Sequence, residues 1–217
     1  MTGRTPGFIG SLLALALVTS PTAFAYESPL DSESIREAYF LGQRGDEKTT
    51  AFFDLYAKHL SLPDKGPYIE LIELLTPYAR VVSRSSESVA GYSAQHAELD
   101  YRADGDIIQV RVRIKFTSTY TAVKEASSAV DVSGKNGFVL RSQDFWRDFQ
   151  VQLLQNKTPI EPRDIHGTPL FDDSGFIGAE VWFAYGAKAV RSEDTAVEVL
   201  TPEGQRVSAD FDLSKLR

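Results

Sequence analysis

In "GYSAQHAELDY", residues 91–101, Ser93 stands three residues ahead of His96, one of 3 histidines in the chain. A serine beside an imidazole is the chemistry of a nucleophile and its base. A nucleophile elbow, however, needs G-x-S-x-G on a strained turn between strand and helix. Here Gln95 takes the place of the second glycine, and the stretch lies inside a helical pattern. Serine hydroxyls within helices tend to bond back to the backbone, and His96 falls with Tyr92 on the apolar stripe. The segment is therefore expected to pack, with His96 hydrogen-bonded at the core edge. No catalytic residue is assigned.

Asp164, His166, Asp172 and Asp173 lie together in "RDIHGTPLFDDSG". Carboxylates with imidazole suit zinc or a hard metal, which makes these four the candidate metal ligands. Their spacing matches neither H-E-x-x-H nor the EF-hand alternation, and Asp-Asp-Ser-Gly is also an ordinary turn sequence. A secreted hydrolase built on residues 164–173 is the alternative to a non-enzymatic reading.

Arg111, Arg113 and Lys115 place three cations on one face of a single strand. They are the candidate binding row, facing an envelope protein or an anionic polymer. Cross-strand pairing with glutamates is the competing reading. Tyr120 and Lys124 have the Y-x-x-x-K spacing of short-chain dehydrogenases, but no strand–glycine loop–helix unit for a dinucleotide accompanies them. No cofactor is implied. Trp146 and Trp182 could form a sugar-stacking platform, although aromatics in alternating strands more often fill a core. The 30 acidic residues single out no glycosidase pair. Asn156-Lys157-Thr158 is a glycosylation sequon, weakened by Pro159 and meaningful only in a eukaryotic secretory host.

Composition narrows the field further. Cysteine is absent, which removes disulfides, thiol catalysis, thiolate zinc sites and lipoprotein attachment. The formal net charge is −7, and it argues against binding nucleic acid or anionic membranes. Residues 1–25 read as a secretory leader: Arg4, an apolar run from Phe8 to Val18, then Ala23-Phe24-Ala25 as a cleavage site. The run is too short for a bilayer, which needs roughly 20 residues. The expected product starts at Tyr26, has no membrane span, and resides in the periplasm or outside the cell.

Several elements must carry these side chains. Asp31 or Ser32 caps a first helix, and Asp46 a second that runs towards Leu60. "YIELIELL" at 68–75 reads as a strand between Pro67 and Thr76-Pro77. From Pro77 to Arg102, Tyr78, Val82, Ser85, Val89, Tyr92, His96 and Leu99 recur at helical steps, so the spacing predicts one long helix. Ile108, Val110, Val112, Ile114 and Phe116 then alternate with polar residues, the mark of a half-buried strand. Residues 121–136 read as a connector, with strands at 137–142 and 148–155. A loop is expected over 156–175. A strand carries Val181, Phe183 and Tyr185, and a hairpin turns at "TPEGQ".

The stretches "SIREAYFLGQR" (34–44), "LIELLTPYARVV" (71–82) and "GYSAQHAELDYR" (91–102) together resemble a group of exported bacterial proteins with no assigned activity. The resemblance implies a periplasmic or secreted protein and carries over no functional residue. The fold class expected is α+β. N-terminal helices and one long helix (26–103) pack on a mainly antiparallel β-sandwich (104–217), with an immunoglobulin-like sandwich as one form. The two regions should make one unit. The function expected is a non-enzymatic binding or structural module of the cell envelope.

Overall fold

The computed structural model describes residues 26–88, 91–130 and 136–217. The expected leader and Val89 lie outside the described residues.

Four helices come first or nearly so: α1 (Ser32–Arg44), α2 (Glu47–Asp54), α3 (Pro77–Glu87) and α4 (Ala94–Asp104). Each has the cap that its sequence offers. Asp31 accepts from Ser34 N, Asp46 from Lys48 N and Thr49 N, Thr76 from Ala79 N and Ser93 from His96 N. Such caps satisfy backbone donors that a helix start otherwise leaves open.

The strands are β1 (Ala57–His59), β2 (Tyr68–Leu75), β3 (Ile107–Lys115), β4 (Val123–Val130), β5 (Asn136–Leu140), β6 (Gln150–Gln155), β7 (Thr158–Ile160), β8 (Asp164–Asp172), β9 (Gly175–Gly186), β10 (Asp194–Leu200) and β11 (Arg206–Asp212). One sheet runs β1-β2-β3-β9-β8, a second β11-β10-β6-β7, and β4-β5 form a separate hairpin. All of these pairings are antiparallel. The α+β class is therefore as the sequence predicts, with helices added to a sandwich-like pair of sheets.

The core lies between the two large sheets. Ile72, Leu74, Ile108, Val110, Val112, Ile114, Val181 and Tyr185 meet Leu153, Val197, Val199, Ala209 and Phe211 there. A second cluster joins α1, α3 and α4 through Ile35, Ala38, Tyr78, Val82, Ala97 and Tyr101. Phe52 and Phe53 of α2 pack against both clusters. The helices thus form a third layer on the outer face of the five-stranded sheet. Gly42 permits it: a Cβ there would stand 2.3 Å from the Val82 carbonyl oxygen.

The structure corrects six expectations. The long helix is two helices. Ser88 takes an extended conformation, Gly91 has φ +101°, and Ser93 starts α4 as its cap. The helical path that the apolar spacing had suggested ends at the extended Ser88, and the positive φ of Gly91 lies off that path as well. The phase then shifts, so Ala97 and Tyr101 are buried while His96 and Leu99 are exposed.

The second helix stops at Asp54, because residues 57–59 pair with 71–73 of β2. Residues 156–175 are not a loop. They contain β7 and the whole of β8, held by ladders to β6 and β9. The expected connector contains β4, and residues 145–148 make a 3₁₀ turn ahead of β6. Where these segments are strands, pairing with a neighbouring strand decides them against weak local propensity. Finally, the strand order is not immunoglobulin-like. That fold joins its first two strands to its fourth and fifth, whereas here the first three join the eighth and ninth.

Candidate functional site

The outer face of the five-stranded sheet carries the row Glu73, Arg111, Trp182, His166 across β2, β3, β9 and β8. Period-2 alternation puts Arg111, Arg113 and Lys115 on this face, opposite the buried Val110, Val112 and Ile114. Every one of the three cations is already paired. Arg111 Nη2 lies 2.8 Å from Glu73, Arg113 Nη2 2.5 Å from Glu180, and Lys115 Nζ 2.5 Å from Glu70. Burial pushes the Glu73 carboxyl above its usual range, with Arg111 opposing. Glu70 goes the other way: its burial is outweighed by the charges of Lys115 and Arg113, which hold its carboxyl low. The row serves cross-strand pairing, so an anionic polymer would have to displace these glutamates.

The candidate metal ligands do not converge. Asp164 and His166 share the outer face of β8, with Oδ2 and Nδ1 3.3 Å apart and both side chains exposed. Asp172 ends the same strand and caps its turn, accepting from Ser174 N at 2.8 Å and from Ser174 Oγ at 2.5 Å. Eight residues of strand separate it from Asp164, on the order of 26 Å. Asp173 lies in that turn. Among the described residues no group of three or more His, Cys, Asp or Glu could hold a metal ion. A hydrolase built on this segment loses its premise, since its members occupy opposite ends of one strand.

Ser93 and His96 are in contact, Oγ to Nδ1 at 3.4 Å, on an exposed surface. The same hydroxyl accepts from His96 N at 3.3 Å. This is a helix cap, and neither residue lines the cleft between α3, α4 and the sheet.

A cleft of about 310 Å³ lies between α3, α4 and the outer sheet face. Its position follows from the chain path: β2 leads through Thr76-Pro77 into α3, which folds back over β2 and β3. Arg80 and Arg84 are one turn apart on α3; Asp100 and Asp104 are one turn apart on α4. Arg80 Nη2 and Arg84 Nη1 both donate to Asp104 Oδ2, at 2.9 and 3.0 Å. Arg80 Nε reaches Gln109 Oε1 at 3.3 Å. Tyr92 donates to Asp100 Oδ2 at 2.9 Å, and Arg84 Nε lies 3.5 Å from the same oxygen.

Burial depresses the Arg80 guanidinium, with Asp104 opposing. Tyr92 is pushed up to about 12 by burial and by its bond to Asp100. Trp182 and His166 close the sheet side of the cleft. The indole stands between its strand neighbours: the Arg111 guanidinium is 5.0 Å from its ring centre, and the His166 ring stacks at 6.3 Å. Trp146, the other tryptophan, is 7 % exposed and belongs to the core.

Set against known proteins, the chain matches no family model, and no curated protein sequence is significantly similar to it. The site's meaning therefore rests on its own geometry. Of the residues singled out by sequence, only His166 and Trp182 reach the cleft. Arg80, Arg84, Asp100 and Asp104 were not singled out. Their signal was two i,i+4 pairs of opposite sign on neighbouring helical segments, visible only once the segments were known to be separate helices.

Proposed function

We propose that the protein is an exported, non-catalytic binding module of the cell envelope, and that its cleft takes an uncharged, polyhydroxylated ligand such as a saccharide unit. One observation carries the ligand class. The cleft's arginines and its paired aspartates satisfy one another, yet keep spare hydrogen-bonding capacity. Asp100 and Asp104 bond through Oδ2 alone among the described residues. A carboxylate has about four acceptor positions and a guanidinium five donors. An ionic ligand would have to break a pair, whereas vicinal hydroxyls can bond to the free Oδ1 atoms and to Arg84 with the pairs intact. The indole edge of Trp182 and the Tyr92 ring supply apolar surface for the C–H groups of such a ligand.

Export rests on the leader-like residues 1–25 and on the resemblance to exported bacterial proteins. Among the described residues no helix is long and apolar enough to cross a membrane. The test is a titration of the chain from Tyr26 onward with neutral oligosaccharides, read by amide chemical shifts. Saturable shifts at Tyr92, Gln109 and Trp182, abolished in Asp100→Asn and Arg84→Ala, are expected. Absence of saturable shifts at millimolar saccharide would overturn the ligand class.

A further inference from the structure

A second concavity lies between the sheets, on the side away from the helices. β7 is three residues long and pairs only with Leu153–Gln155 of β6. By residue 163 the chain has crossed to the other sheet, where Arg163 N donates to Ala184 O at 2.6 Å. Residues 150–152 of β6 therefore have β10 on one side and no strand on the other, among the described residues. The gap opens a crevice of about 320 Å³ onto the inner faces of β8 and β9.

Its walls are apolar: Phe149 and Val151 on one side, Ile165, Val181 and Phe183 on the other. Ile165 points inward on β8 yet stays 46 % exposed, because among the described residues no strand of the second sheet covers it. Trp146 closes one end, packed so tightly on Gly167 that a Cβ there would stand 2.3 Å from its ring. The buried indole N–H of Trp146 has no acceptor among the described residues. Arg147 is the cation at the lip. Its guanidinium lies 4.7 Å from the Trp146 ring, and among the described residues its ion pairing is a loose, exposed contact of 4.0 Å to Asp144.

We infer that this crevice binds a single-chain fatty carboxylate, with the alkyl chain between the sheets and the carboxylate at Arg147. The assignment follows from complementarity on both counts. A narrow apolar slot of this volume sits at the low end of small-molecule sites, ~300–1,000 Å³, enough for one chain and not two. Ile165, exposed at the crevice, gains from covering by hydrocarbon, while the buried Phe149, Val181 and Phe183 form its floor. A guanidinium at the mouth pairs with a carboxylate in two-pronged geometry. This site is separate from the saccharide cleft, and its test is independent of that reading.

The experiment is calorimetric titration with n-alkyl carboxylates of six to fourteen carbons, each below its micelle concentration. Affinity should rise about fourfold per added methylene until the crevice is full, then level off. Arg147→Gln should weaken carboxylate binding several-fold while leaving the matched n-alkanol unchanged. Ile165→Trp, at an exposed position, should block the chain without altering the circular dichroism spectrum. Binding independent of chain length, full binding by Ile165→Trp, no binding at any length, or capture of an apolar peptide in place of the carboxylates would each overturn the assignment.

Discussion

Arg111 and Glu73 face each other across neighbouring strands, Nη2 to Oε2 at 2.8 Å, and Glu73 is the most buried carboxylate of the outer sheet face. The pair is enclosed: Trp182 covers the guanidinium, and Arg111 Nε has no hydrogen-bond partner among the described residues. Removing one member leaves a buried charge without its partner, which costs about 3–5 kcal/mol. Arg111→Ala is expected to lose that much in urea denaturation. Lys115→Ala, whose ion pair with Glu70 is more exposed, should lose no more than about 1 kcal/mol. Replacing both members, as in Glu73→Leu with Arg111→Met, should recover most of the stability. A single Arg111→Ala as mild as Lys115→Ala would show that water reaches the pair.

Ser93 bonds to His96 as a cap, so its substitution should be felt in folding. Ser93→Ala removes the acceptor for His96 N and is expected to cost about 1 kcal/mol, while Ser93→Asp should retain it. His96→Ala, at an exposed position, should stay within about 0.5 kcal/mol. Thermal unfolding of the three variants checks the ordering. Equal losses from Ser93→Ala and His96→Ala would mean that the imidazole, too, supports the helix start.

The same segment marks how far the sequence could be read. Elements with one buried and one wet face were legible from alternation alone: β3, β9, β10 and β11 stand where Ile108 to Ile114, Val181 to Tyr185, and Val197 to Phe211 place them. The helix break was not, because apolar residues continue at helical steps through Gly91, and periodicity carries no information about φ. β1 and β8 were missed for a different reason. Residues such as Lys58, Gly167 and Pro169 have little strand preference, and only the ladders to β2 and β9 hold them. Alternation alone put the basic row on one face of β3, but its partners Glu70, Glu73 and Glu180 come from two other strands, so its pairing needed the sheet order. The cleft needed more still, since its four charged residues come together only when α3 and α4 are separate and side by side.

Tyr92 gives the cleft a signature at alkaline pH. Its phenol is raised from 10.0 to about 12, by burial first and by the Asp100 carboxylate second. Tyr101 is also raised to about 12, by burial and by Asp106. A raised phenol keeps its proton in the fold after losing it in the unfolded chain. The stability it contributes is therefore whole below pH 10 and is lost as pH rises through about 12. Tyr92→Phe should remove one step near pH 12 from the ultraviolet titration of the folded protein. It should also flatten the fall in melting temperature between pH 10 and 12. Amplitude lost near pH 10 rather than near pH 12 would mean that Tyr92 ionises with the exposed phenols and that its bond to Asp100 is absent in solution.

Gly42 sets how closely the helical layer packs, and two opposing effects decide its substitution. Alanine is the better helix former by about 1 kcal/mol, which alone would stabilise α1. Its Cβ, however, would meet the Val82 carbonyl oxygen at 2.3 Å and Ser85 Cβ at 2.7 Å. Backbone of α3 cannot yield as a flexible side chain can, and overpacking of this kind costs about 1–3 kcal/mol. Gly42→Ala should therefore be net destabilising, and it should disturb the cleft as well, because α3 carries Arg80 and Arg84. Gly45→Ala is the control: it has open space around it but φ +56°, so its loss of about 1–2 kcal/mol reflects backbone conformation alone. In amide spectra, Gly42→Ala should shift residues of α3 and the Arg84 side chain, whereas Gly45→Ala should shift only its own turn. A Gly42→Ala variant as stable as the parent, with α3 unmoved, would show that the two helices pack less closely in solution.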